Sequence, residues 1–353
     1  PATGKQSNIN GQIYLFNEEG QMQVGWVARS DSKTKNFVQL DKEDEEQDMI
    51  LLSDYADSEV YYCGDEDDGH AKKNKWLKTW LPSDTEEEED DKEWFWFDKE
   101  GKVFRAGVNT AAETAANAEK YKLDEGTLVP DDNKVATLIG KKKVNSKDYW
   151  FREDGVMLSK FYKINDAMFY FGGADDGSMK TGSQSIKDNT GDTYKFYFET
   201  KTGANKGAGV TGEKDNKLYQ SGMLLKADSD DKYTVVDKET HTKAGGTKYV
   251  TYTKLDDAKA FMDSVKNHGG KVNDELAGKE GSTKVTVGSN TTKKAEDLAE
   301  AYSVELKDVK NHEYILVNTS GKVIDNKGKN KDGSDYYYVT DSNGKITNIY
   351  VED

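Results

Sequence analysis

Six tryptophans and twenty tyrosines are the side chains of this sequence best suited to holding a ligand. An exposed indole stacks on the apolar C–H face of a neutral sugar while nearby polar groups pair with its hydroxyls. The candidate platform residues are Trp26, Trp76, Trp80, Trp94, Trp96, Trp150 and Tyr170. Trp76 and Trp80, in the run WLKTW, stand four apart and share a face whether the segment is helix or strand. Core packing is the competing role for each ring. Catalytic chemistry has no comparable support. Among 66 Asp and Glu residues, a pair at glycosidase spacing arises by chance. His70, His241, His268 and His312 lie at no metal-ligand spacing, and Cys63 is the only cysteine. No nucleophile elbow, P-loop or dinucleotide fingerprint is present. The expectation is a noncatalytic protein with no catalytic residue, no metal ligand and no cofactor.

The elements that must carry these rings emerge when the chain is searched against itself. Residues 11–27 read GQIYLFNEEGQMQVGWV, residues 93–108 EWFWFDKEGKVFRAGV, and residues 148–160 DYWFREDGVMLSK. Looser copies end at Gly182, Gly209 and Gly328, and the last residues make another. In the tight copies the last ring of the strand precedes the turn glycine by four: Phe16 to Gly20, Phe97 to Gly101, Phe151 to Gly155. That spacing predicts β-hairpins, with glycine supplying the positive φ of a short loop. One hairpin is marginal in water, so the units must stack and bury each other's rings. Strand alternation then assigns Tyr14/Phe16, Phe95/Phe97 and Tyr149/Phe151 to the core face and sends Trp96 and Trp150 to the other.

Composition narrows the partners. The formal net charge is -16 with 33% charged residues. Such a chain repels phosphate backbones, so nucleic acid and anionic lipid are unexpected partners. No apolar run is long enough for membrane insertion. The first residues, Pro1 to Lys5, show no signal-peptide pattern and look like a processed or trimmed start. With 3 Pro against 32 Gly, tight turns outnumber stiff linkers.

Two acidic runs, Asp41 to Asp48 and Asp84 to Glu93, read as solvated loops rather than calcium sites. Three segments carry helical period: 110–122, 255–268 and 293–309. The hairpin pattern lapses near Asp228 and resumes after Asn311. The expected fold class is therefore mainly β, stacked β-hairpin repeats with a C-terminal α+β region, in two lobes: residues 1–228 as the repeat array, 229–353 as the α+β module.

The unit of paired aromatics, Phe-Asp, turn glycine and Met or Val, followed by Gly-Trp, resembles the cell-wall-binding repeat family, with its choline-binding and glucan-binding branches. It is carried here by Tyr14, Phe16, Gly20, Met22, Gly25 and Trp26; by Trp94, Phe97, Asp98, Gly101 and Gly107; and by Phe171, Gly177, Met179 and Gly182. The resemblance implies a secreted or surface-attached protein of a Gram-positive bacterium, part of a cell-surface assembly, that binds a polysaccharide or oligosaccharide. Choline-binding members build a cation cage from successive Gly-Trp pairs, and only Gly25-Trp26 survives here. A neutral α-glucan of starch or dextran type is thus the expected ligand. The alternatives are wall anchoring through choline, teichoic acid or peptidoglycan, and a structural adhesin whose rings are all core. Residues 284–310 also resemble part of a peptidoglycan-binding LysM module, through a helix followed by Val-Glu-Leu.

Overall fold

The computed structural model describes residues 6–29, 36–40, 59–82, 92–108, 114–288 and 291–353, with side chains described except at 114–117, 132–135, 137 and 288. The first acidic run lies outside the described residues, as does the second apart from Lys92 and Glu93. The fold is mainly β, as the repeats predict. Among the described residues the one α-helix is Ala258–Asn267, accompanied by a 3-10 turn at Ala295–Asp297.

The chain divides into two compact units. The first comprises 1–180 with 188–190, and the second 181–187 with 191–353. In the first unit, the hairpin units close through one recurrent turn. Gly20 donates its N–H to Asn17, Gly101 to Asp98 and Gly155 to Arg152, at 3.0–3.1 Å, each glycine having φ between 82° and 86°. A side chain there would be strained, which is why glycine recurs. Each turn brings the last ring of the strand opposite the residue six positions on: Phe16 with Met22, Phe97 with Val103, Phe151 with Met157. The strands Lys75–Thr79 and Glu93–Phe97 pair with Trp76 opposite Trp96 and Lys78 opposite Trp94. A five-stranded sheet follows, in the order Lys147–Arg152, Thr127–Val144, Thr114–Asp124, Phe161–Ile164, Ala167–Tyr170.

Phe95, Phe97 and Phe151 are fully buried and Tyr149 nearly so, in agreement with the alternation argument. At the first copy the faces are reversed. Ile13 and Leu15 enter the core with Val27, Phe37, Tyr61, Cys63 and Ala71, while Tyr14 and Phe16 are only half-buried. The turn register is the same as in the later copies, with Phe16 opposite Met22, so what differs is the strand face that the neighbouring side chains cover, here with a mixed aliphatic and aromatic core.

Two expected helices are strands. The alanine-rich segment from 110 forms the strand Thr114–Asp124, because the chain reverses at Glu125–Gly126, both at positive φ, and Thr127–Val144 pairs along its length. A two-residue loop of that geometry matches the twist of a hairpin, and the ladder outweighs the helix propensity of alanine, which is a weak prior. The segment 293–309 contains the strand Leu298–Glu305, so the helix required by the LysM resemblance is replaced by a 3-10 turn and a strand. Its apolar residues Leu298, Ala301 and Val304 are spaced by three, which mimics a helix. A bulge between Leu298 and Glu300 keeps Leu298 and Ala301 in one core cluster, and Val304 serves a different one.

In the second unit the helix Ala258–Asn267 forms as expected. Asp257 caps it by accepting from Ala260 N–H at 2.6 Å. Its buried face, Ala258, Phe261, Met262 and Val265, packs with Val235, Tyr314 and Leu316 of the sheet Lys248–Lys254, Tyr233–Thr242, His312–Asn318, Val323–Ile324.

Candidate ligand-binding site

In the first unit, Trp76, Trp94, Tyr149 and Met157 line a pocket of about 390 Å³, with Lys147, Asp175 and Asp176 completing it. Strand pairing explains why these rings meet. Trp76 and Trp94 lie on paired strands, on the face opposite the buried Phe95 and Phe97. Behind them lies a core of Phe104, Val144, Tyr149, Phe151 and Met157, so the indoles rest on apolar side chains and keep one side toward the pocket.

The rings form a corner. Trp76 and Tyr149 have centroids 4.8 Å apart with planes at 55°, and Trp76 meets Trp96 edge-on at 5.2 Å and 61°. Phe151 stacks under Trp76 at 5.8 Å and 17°, which holds the indole in place. Such tilted and edge-to-face pairs are the favoured aromatic arrangements and each adds about 0.5–1.5 kcal/mol beyond buried area.

Two carboxylates stand at the rim. Asp175 Oδ1 accepts from the Trp94 indole N–H and from Lys78 Nζ, both at 2.9 Å. The Trp94 and Lys78 hydrogen bonds hold its carboxyl below the usual carboxylate range. For Asp176, burial pushes the carboxyl up, but hydrogen bonds from Lys180 and Ser178 outweigh it and leave it lowered. Both are therefore ionised at neutral pH. Burial, with the nearby Asp176 charge second, raises the Tyr149 phenol, which keeps it neutral. The pocket thus offers π-faces, a thioether and two ionised carboxylates, each paired with a lysine, beside Lys147.

The structure brings together Trp76, Trp94 and, packed behind Trp76, Trp96. The other expected site residues lie elsewhere. Trp26 is in the core with its indole N–H donating to the Trp80 carbonyl at 2.7 Å. Trp80 carries Lys92 Nζ over its ring at 4.2 Å. Trp150 is buried, and Tyr170 packs on Phe161 at 4.6 Å. Sequence reasoning missed Tyr149, Met157, Asp175, Asp176 and Lys147 as pocket residues. Met157 was within reach of it, being two beyond a turn glycine as Met22 and Met179 are.

No family model matches this chain, and no curated protein does. Solved structures are similar at low identity. Choline-binding protein F from Streptococcus pneumoniae, in the presence of a peptidoglycan analogue, is 16% identical over 97% of this chain and 92% of that chain, with a TM-score of 0.23. CbpJ from Streptococcus pneumoniae TIGR4 is 16% identical over 97% and 93%, with a TM-score of 0.21. Alternansucrase in complex with isomaltotriose is 15% identical over 53% of this chain and 12% of that chain, with a TM-score of 0.18. Likeness at this level transfers neither a ligand nor a site residue. No helix among the described residues is long and apolar enough to cross a membrane.

Proposed function

We propose that this protein is a noncatalytic, secreted or surface-attached binding module of a cell-wall assembly, and that the corner of Trp76, Trp94 and Tyr149 receives a choline-type quaternary ammonium group. The single observation that carries the reading is the wide angle between rings that share one pocket, 55° between Trp76 and Tyr149 at 4.8 Å. A cation gains from several ring faces within about 6 Å of it, and the gain reaches about 2 kcal/mol or more when the site is desolvated. A neutral α-glucan asks instead for one flat, open platform along which sugars lie, and the three-ring concavity suits it less well. The formal net charge of -16 also favours a cation over an anion.

The loss of Gly-Trp pairs argues against choline only if the cage must come from that position of the repeat. Here the indoles come from two paired strands and the phenol from the following sheet, so the pairs are not needed.

Tryptophan fluorescence titration with choline, beside maltotriose and isomaltotriose, tests the reading. Choline is expected to saturate the signal, with Trp76→Ala and Trp94→Ala each costing about 1–2 kcal/mol. Trp80→Ala, outside the pocket, should leave affinity unchanged. A response to the oligosaccharides with none to choline would return the glucan reading to first place.

A further inference from the structure

Asp237, His268 and His312 come from a strand, the end of the helix and the start of a second strand, all in the second unit. One nitrogen of each ring and a carboxylate oxygen of Asp237 all lie within 4.8 Å of one another. We propose that this cluster is a binding site for a borderline transition-metal dication of the Zn2+, Co2+ or Ni2+ type, independent of the aromatic pocket.

Register and helix period build the cluster. Asp237 pairs with Tyr314, and Glu239 with His312, on neighbouring strands, so all four side chains share the sheet face that the helix covers. His268 is one turn beyond Ser264 on that helix, facing the same way. The sequence separations, 31 residues from Asp237 to His268 and 44 from His268 to His312, hide the group from any motif search.

The chemistry of the donors selects the ion. Two imidazoles and one carboxylate form a set typical of Zn2+ and its neighbours, while Ca2+ and Mg2+ prefer oxygen ligands throughout. His312 Nδ1 is 3.0 Å from both Asp237 oxygens. An ion with bonds of about 2.0–2.1 Å to each partner fits between donors at that separation. It would take the place of the hydrogen they share, and the neutral ring then carries its one N–H at Nε2. Glu239 Oε1, 3.9 Å from His312 Nε2, is then placed to accept from the remaining ring N–H, the carboxylate–histidine arrangement that orients metal-bound imidazoles.

Asp237 is buried and the His312 side chain is 9% exposed, so both are already held. His268 is the adjustable member. It stacks on His312 with centroids 3.5 Å apart and planes at 12°, and its Nδ1 makes only long contacts, 3.3 Å to both Ser264 Oγ and Tyr314 OH. Parallel rings aim their lone pairs side by side, so binding requires His268 to tilt out of the stack. His312 also lines a cleft of about 790 Å³, which gives an ion and its waters a path in. The cluster is not a hydrolase triad: Ser264 contacts His268, while Asp237 holds the other histidine.

The test is a Co2+ titration of the full chain followed by visible absorption, with excess Ca2+ present to occupy surface carboxylates. One equivalent with ligand-field bands, displaced by Zn2+, is expected. His268→Ala, at a half-exposed helix end, and Asp237→Asn should each weaken Co2+ at least about tenfold, with circular dichroism confirming the fold. His312→Ala should do the same if it folds. Absence of the bands, or Co2+ affinity unchanged in folded His268→Ala, overturns the proposal and leaves the stack as a structural clasp between helix and sheet.

Discussion

Met157 occupies the space that a side chain on Gly177 would need: a Cβ built there meets the methionine sulfur and methyl well inside contact distance. Met22 stands in the same relation to Gly69. The repeat thus packs the methionine that follows one turn glycine against a glycine further along the chain. In the later copy that methionine is also a wall of the aromatic pocket.

Gly177→Ala is therefore expected to act on stability and on the pocket together. The residue has φ of +66°, and the displaced Met157 must repack, so a loss of about 1–3 kcal/mol is expected in urea denaturation. Choline affinity should fall as well. Gly69→Ala, which disturbs Met22 instead, should lower stability and leave the titration unchanged.

The two buried tryptophans are expected to respond differently to the same substitution. The Trp26 indole N–H donates to Trp80 O at 2.7 Å, whereas the Trp150 N–H is buried with no hydrogen-bond partner among the described residues. A hydrogen bond contributes about 0.5–1.5 kcal/mol, and a buried orphan donor costs about 1–3 kcal/mol. Trp26→Phe should then destabilise more than Trp150→Phe by about 1–2 kcal/mol, read from denaturation midpoints. Equal losses would mean that ring volume alone decides.

Asp332 gives the stability a pH dependence of unusual sign. Burial pushes its carboxyl up to about 6, against the hydrogen bonds it accepts from the backbone N–H groups of Tyr336 and Ser334. Between the unfolded value near 4 and the folded value, the folded protein holds the proton that the unfolded chain has released. Stability from this group is therefore full below about pH 4 and declines as pH rises toward 6. Most carboxylates slope the other way, so the measurement is a difference. Asp332→Asn keeps the acceptor oxygen at 2.8 Å from Tyr336 N and removes the titration. Relative to wild type, the variant should gain stability between pH 4 and 7. Parallel pH curves for the two proteins would exclude the effect.

The sequence was sufficient for the hairpin unit and for most of its faces. Turn glycines, rings four residues earlier and strict alternation are local rules, so Phe95, Phe97 and Phe151 could be placed in the core without coordinates. The helix Ala258–Asn267 was legible for the same reason, its apolar period being contained in one segment. Wherever a distant strand supplied the partner, local pattern failed: Thr114–Asp124 reads as helix by composition and Leu298–Glu305 by spacing, yet ladder pairing and a bulge make both strands.

The sites belong to the tertiary structure altogether. Trp76 and Tyr149 are 73 residues apart, and Asp237 and His312 are 75 apart, and no rule of spacing along a chain relates such positions. Their meeting follows from which strands pair and which faces are covered. That choice is made by burial summed over the whole unit, a quantity that no short segment contains.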